Sequence, residues 1–235
     1  MGQNGREEQE GQGDRPEAFA VLCDGMGGTE LGAEASGLVV EEAAVALDAL
    51  GADDDVVACL YGLVQQLDCD VCDQFGAGRA GTTVVAVYLR DNRMNWLSVG
   101  DSRIYLIRED GIECLTRDHN LQMALDNEVA RKSITVEEME SFARRDSLIS
   151  FIGQGGLPLI DHSPEPLVLG SGDVVLLCSD GLTKSLGDDQ IAAIIRECPD
   201  NLDETARRLV IEAFDTGGEK DNTTVALLRY LEDQG

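Results

Sequence analysis

The chain has 235 residues, 43% of them apolar, which is enough for one large domain or two small ones with a substantial core. Lys and Arg number 18 against 45 Asp and Glu, a formal charge of −27, so a nucleic-acid backbone or an anionic membrane surface would be repelled. With 26 Gly, five Pro and no low-complexity block, the composition argues against disorder, and no apolar run approaches the ~20 residues of a membrane span.

The first 16 residues are polar and Gly-rich. They hold no apolar signal core, and Met1-Gly2 with Arg6 lacks the small-residue pattern of a myristoylation site, so a cytoplasmic protein is expected. Ala18–Cys23 reads as a buried strand, ended by the loop Asp24-Gly25-Met26-Gly27-Gly28. From Leu31 to Leu50 apolar residues recur at helical spacing (Ala35, Val39, Val40, Ala43, Leu47, Leu50), and a second helix is predicted around Val56–Phe75. A β-rich stretch follows: Thr82–Leu89, a turn at Asp91-Asn92-Arg93, an alternating segment from Met94 to Val99, Arg103–Ile107, and Ile112–Leu115 after Glu109-Asp110-Gly111. Strands this close predict antiparallel neighbours. Residues 120–150 are polar and helical or irregular. Asp173–Ser179 is a further buried strand, Asp188–Arg196 and Leu202–Phe214 are helices, and Thr223–Tyr230 is a final strand. Strand runs interspersed with helix pairs, without regular βαβ alternation, predict an α+β layered domain occupying the whole chain, 1–235.

There are seven Cys, and most sit in apolar runs, where Cys acts as a small buried hydrophobe. Cys69-Asp-Val-Cys72 has CxxC spacing but no second CxxC or spaced His pair, so a structural role is preferred over a redox or zinc site. No Cys is followed by the Cys-x5-Arg loop of a thiol-dependent phosphatase. The two histidines, His119 and His162, read as structural.

Among so many acids, the informative ones flank apolar strands. Asp24 follows Ala-Val-Leu-Cys, Asp101 follows Leu-Ser-Val-Gly, Asp180 follows Val-Leu-Leu-Cys-Ser, and Asp221-Asn222 precedes the last strand. Any one of them reads as turn chemistry. Several partly desolvated carboxylates converging would raise one another's pKa unless a cation lay between them, and an all-oxygen donor set suits Mg²⁺ or Mn²⁺.

These segments together resemble the type 2C family of metal-dependent serine/threonine protein phosphatases, in its compact bacterial form. Phe19-Ala-Val-Leu-Cys-Asp-Gly-Met-Gly-Gly28 with Gly32 and Glu34-Ala-Ser36 is similar to the family's first block. Gly81-Thr-Thr83, Val99-Gly-Asp-Ser-Arg103, Leu115-Thr-Arg-Asp-His119, Leu176-Leu-Cys-Ser-Asp-Gly-Leu182 and Asp221-Asn-Thr-Thr224 resemble the later ones, in order. The resemblance implies a central antiparallel β-sandwich flanked by helix pairs (four layers, α-β-β-α), with residues ~120–150 as a flap beside the site. It implies Mn²⁺ or Mg²⁺ as cofactor: Asp24 bridging two ions with the Gly25 carbonyl on one, Asp180 and Asp221 on the other, and Asp101 with Asp180 forming a weaker third site. Glu10 is a further implied ligand, and Arg6 the implied phosphate-binding residue. Gly11 departs from the pattern, standing where the family carries Asp. A phosphoprotein substrate is implied, attacked directly by activated water and opposing a Ser/Thr kinase, with the enzyme a monomer that engages neither nucleic acid nor membrane. The rival from another class is a catalytically weak regulatory module that keeps the fold. Retention of Asp24, Asp101, Asp180 and Asp221 favours the enzyme.

Overall fold

The computed structural model describes residues 17–26, 30–198, 201–216 and 221–232. Its architecture follows from strands that are apolar on both faces. In β2 (Val84–Arg90), Val85 and Val87 face one way and Val84, Ala86 and Tyr88 the other, and all five are buried. A strand buried on both faces needs cover on both. The inner cover is a second sheet: Val85 and Val87 pack with Leu22, Met94 and Trp96 of their own sheet and with Ile104, Leu106, Val175 and Leu177 of the opposite one. The outer cover is a helix pair, α1 (Glu30–Asp48) and α2 (Val56–Phe75). Their buried residues recur every three or four positions: Ala35, Val39, Ala43 and Leu47 on α1, and Leu60, Val64, Leu67 and Val71 on α2. The Asp55 side chain caps α2 by accepting from the Ala58 amide.

The first sheet runs β1 (Glu17–Leu22), β2, β3 (Arg93–Val99), with two-residue strands β6 (Asp161–His162) and β7 (Leu167–Val168) both pairing β3. The second runs β5 (Gly111–Cys114), β4 (Arg103–Arg108), β8 (Val174–Cys178), β9 (Val225–Arg229). Every pairing among these strands is antiparallel. Outside the second sheet, α6 (Asp188–Glu197) and α7 (Leu202–Asp215) pack Ile191, Ile194, Ile195, Leu209 and Ala213 on Tyr105, Ile107, Val174, Leu176 and Cys178. The order is helices, sheet, sheet, helices, as expected. Residues 120–150 carry the short helices α3 (Leu121–Ala130) and α4 (Val136–Glu140). Between β8 and α6 lies one turn of helix, α5 (Asp180–Thr183). No described helix is long and apolar enough to cross a membrane.

Two expectations are corrected. β3 and β4, though separated by three residues, are not neighbours; the chain crosses between sheets at Gly100-Asp101-Ser102. Gly100 makes that crossing at φ +112, where a Cβ would also lie 2.6 Å from the Thr83 side chain. The cysteines are less buried than their apolar surroundings predict: only Cys178 is fully buried, Cys69 and Cys114 are exposed, and all seven are free thiols. On the helices this reflects periodicity, since Cys69 falls between the buried Asp68 and Val71 on the outer face of α2.

Candidate active site

Asp24, Asp101 and Asp180 each follow the end of a strand, β1, β3 and β8, and Asp221 precedes β9. β3 ends at the crossing between the sheets, and β8 pairs with β4, which starts from it. Asp180 lies close enough to act on both Asp24 and Asp101, and Asp221 on Asp24, so the carboxylates meet at one end of the sandwich. Backbone pairing and small hydroxyls hold the segments there. The Asp24 amide donates to Thr83 Oγ1 at 3.0 Å, and its carbonyl accepts from the Thr83 amide and Thr82 Oγ1, each at 2.9 Å. Thr83 Oγ1 in turn lies 2.7 Å from Ser102 Oγ, joining the Asp24 and Asp101 loops. Gly25 forms an isolated bridge to Thr82, and the Met26 amide donates to the Gly81 carbonyl. On the other side, Ser179 Oγ donates to the Asn222 carbonyl at 3.2 Å and accepts from the Thr224 amide at 3.0 Å. Gly181 permits this approach: a Cβ there would sit 2.5 Å from the Asn222 carbonyl oxygen.

The electrostatics are those of a partly buried acidic cluster. Burial, then the Asp180 and Asp221 carboxylates and a hydrogen bond with Asp180, push Asp24 up to about 6. Burial, then Asp180 and Asp118, push Asp101 up to about 7. Asp221 departs from expectation. It is nearly half exposed, at 47% of its side chain, and a hydrogen bond from Lys184 holds it below the usual carboxylate range. Lys184, at the C-terminal end of α5, places Nζ 2.6 Å from Asp180 Oδ2 and 2.9 Å from Asp221 Oδ2. Burial opposes its charge, but the bonds to Asp180 and Asp221 outweigh that and hold the ammonium above the usual lysine range. Among the described residues no group of three His, Cys, Asp or Glu side chains is arranged as a ready metal cage. The donor chemistry nonetheless fits a hard divalent ion: the carboxylates are all oxygen donors, two of them are driven toward protonation by burial and by neighbouring carboxylates, and an ammonium already stands between two others.

A cavity of ≈ 370 Å³ opens beside the cluster, lined by Asp101, Asp180, Thr183 and Lys184 and, from the 120–150 segment, by Asn120, Gln122, Arg145 and Asp146. It shares Arg103, Asp118, Asn120 and Gln122 with an adjoining cavity of ≈ 490 Å³. Arg103 is engaged structurally, gripping Asp118 through two hydrogen bonds of 2.8 and 2.7 Å and donating to the Tyr105 hydroxyl. His119 is fully buried; its Nδ1 accepts from the Gly100 amide, and its Nε2 lies 3.4 Å from Asp161, consistent with the structural role expected for it. His162 is exposed, with Nδ1 3.0 Å from the Ser163 carbonyl. Arg6, Glu10 and Gly11 lie outside the described residues. Reading the sequence missed Lys184. Its signal was the four-residue offset from Asp180, which on a helical turn brings the two side chains together.

Residues 2–135 match the Protein phosphatase 2C family. The chain is 33% identical to protein phosphatase PhpP of Streptococcus pneumoniae over 219 residues, 91% of this chain and 86% of the relative. It is 34% identical to the serine/threonine protein phosphatase PstP of Mycobacterium tuberculosis over 221 residues, 90% of this chain and 40% of that longer protein. The crystal structure of the Mycobacterium tuberculosis PstP phosphatase superposes with a TM-score of 0.76 at 28% identity, covering 97% of this chain and 96% of the other. A structure of the PstP catalytic domain in complex with two manganese ions superposes at 0.71 with 26% identity, covering 96% of each chain. The segments that build the acidic cluster are thus set in a sandwich shared with these enzymes, and the chain belongs to the protein phosphatase 2C family.

Proposed function

We propose that this chain is a protein phosphatase that hydrolyses phosphoserine and phosphothreonine with divalent metal, Mn²⁺ or Mg²⁺. The observation that carries the reading is the convergence of Asp24, Asp101 and Asp180, with Asp221 beside them, at one end of the sandwich. Asp24, the Gly25 carbonyl, Asp180 and Asp221 are the groups that would hold two ions, with Glu10 as a further ligand and Asp101 for a third ion. The chemistry that divalent ions would supply there is activation of water and neutralisation of charge in an in-line phosphoryl displacement.

The chain's own residues supply position. Thr82 and Thr83 fix the Asp24 backbone, Ser102 ties the Asp101 loop to it, and Ser179 fixes the segment carrying Asp221. Arg6 is the fork donor offered to the phosphate oxygens. The adjoining cavity, walled on one side by the 120–150 flap, gives room for residues flanking the phosphorylated one. The substrates are phosphoproteins made by a Ser/Thr kinase, and the formal net charge of −27 disfavours strongly acidic ones. Hydrolysis of a phosphothreonine peptide in Mn²⁺, Mg²⁺ and EDTA tests the reading. Turnover is expected with metal and none with chelator; equal turnover in all three overturns it.

A further inference from the structure

We propose that Lys184 is an internal counter-ion of the metal-free centre, its ammonium holding the two carboxylates, Asp180 and Asp221, that a divalent ion must take over on loading. The proposal rests on the assignment of those carboxylates as metal ligands. Geometry supports it in three ways. One ammonium contacts two carboxylates at 2.6 and 2.9 Å, which is a cation's position rather than that of a lysine trailing into solvent. The side chain is launched from the same helical turn as Asp180: the Lys184 amide donates to the Asp180 carbonyl at 2.8 Å, so the tether is short and the local concentration of the charge is high. Arg103, which lines the same cavity, is committed elsewhere, with its fork on Asp118.

The contact is also replaceable. Lys184 is one third exposed and lines the open cavity, so its flexible stem can swing away from the carboxylates without disturbing the core. Asp221 stays oriented when it does, because its other oxygen accepts from the Asn222 amide at 2.9 Å. An ion entering the cluster therefore competes with a tethered ammonium. Lys184 offsets the repulsion between the two carboxylates and, by the same contacts, raises the metal concentration needed to displace it.

The experiment titrates Mn²⁺ calorimetrically into chelator-stripped protein and records thermal melts in EDTA, for the parent, Lys184→Met and Lys184→Gln. Methionine keeps the stem and removes the charge; glutamine guards against an effect of apolar substitution alone. Both variants are expected to bind Mn²⁺ about tenfold more tightly, the scale on which groups around a metal's ligands act. Both are also expected to melt earlier than the parent in EDTA, and high salt should narrow the difference. Unchanged or weaker Mn²⁺ binding in both variants, with Mn²⁺ still bound by the parent, overturns the role of Lys184 alone. If neither parent nor variants bind Mn²⁺, the assignment of the carboxylates as ligands falls, and the counter-ion role with it.

Discussion

Asp68 supports the acidic cluster from the far side of a sheet, and removing it should both destabilise the fold and loosen the site. It is a carboxylate on α2, 4% exposed, with no cation bonded to it among the described residues. Instead it accepts three backbone amides: Gly153 at 2.7 Å and Gly155 at 3.3 Å on Oδ1, and Gly156 at 2.7 Å on Oδ2. The loop so gathered pairs with the site's own frame, because Ile152 and Thr82 exchange backbone bonds of 2.9 and 3.1 Å and Thr82 Oγ1 holds the Asp24 carbonyl. Asp68→Ala leaves three amides short of an acceptor, at ~1–3 kcal/mol for each one that water does not reach. Relief of the buried charge offsets part of this. A net loss of ~3 kcal/mol is expected, which for a chain of this length lowers Tm by about 6–12 °C. Asp68→Asn keeps one acceptor oxygen and should fall between. Calorimetric melts give the stability, and hydrogen exchange at Thr82 and Ile152 reports whether the loss reaches the site. A Tm within about 2 °C of the parent, with both amides still protected, would refute the reasoning.

At the site itself, Asp180→Asn should reduce kcat by ~10²–10³ with the fold intact by circular dichroism; unchanged turnover in the metal-loaded variant would mean that Asp180 is not a ligand. Gly181→Ala drives a Cβ to 2.5 Å from the Asn222 carbonyl, so a loss of ~1–3 kcal/mol is expected in urea unfolding, and an unchanged midpoint would show that the two segments part freely. In EDTA, Asp24 at about 6 and Asp101 at about 7 lie above their unfolded values, so the folded state binds more protons and stability falls as pH rises from 5 to 8. Asp101→Asn should flatten that slope and raise Tm at pH 8; a metal-free Tm that climbs over this interval would exclude the repulsive cluster.

The layers were legible because both faces of the central strands are covered. Val174–Cys178 and Val84–Tyr88 are unbroken apolar runs for that reason, and their length and flanking turns separated them from helices. The two-residue strands β6 and β7 were not legible, since two residues carry no period and their pairing with β3 is made by register alone. The separation of β3 from β4 was hidden by a short connection of the kind that hairpins also use. Only the positive φ of Gly100 and its contact with Thr83 distinguish it, and neither is written in the residue types.

The same division runs through the site. Asp24, Asp101 and Asp180 could be singled out because each follows the end of an apolar strand, where partial desolvation is expected; Asp221, ahead of the last strand, shares the pattern but is nearly half exposed. Asp68 could have been read by the equivalent rule for helices. It lies four residues after Val64 and three before Val71, on the stripe that faces the sheet, where a carboxylate must find donors or be expelled. Lys184 carries only the weaker signal of its four-residue offset from Asp180, because a lysine after a short helix is ordinarily solvated and the one-turn helix that aims it at Asp180 is too brief to show periodicity. What makes it matter is the excess of carboxylates around it. Asp24 and Asp101 are pushed up by burial and then by neighbouring carboxylates, whereas Asp221, more exposed and with Lys184 bonded to it, is held down. Among the described residues, the ammonium bonded to Asp180 and Asp221 thus comes from a side chain that the motifs do not contain.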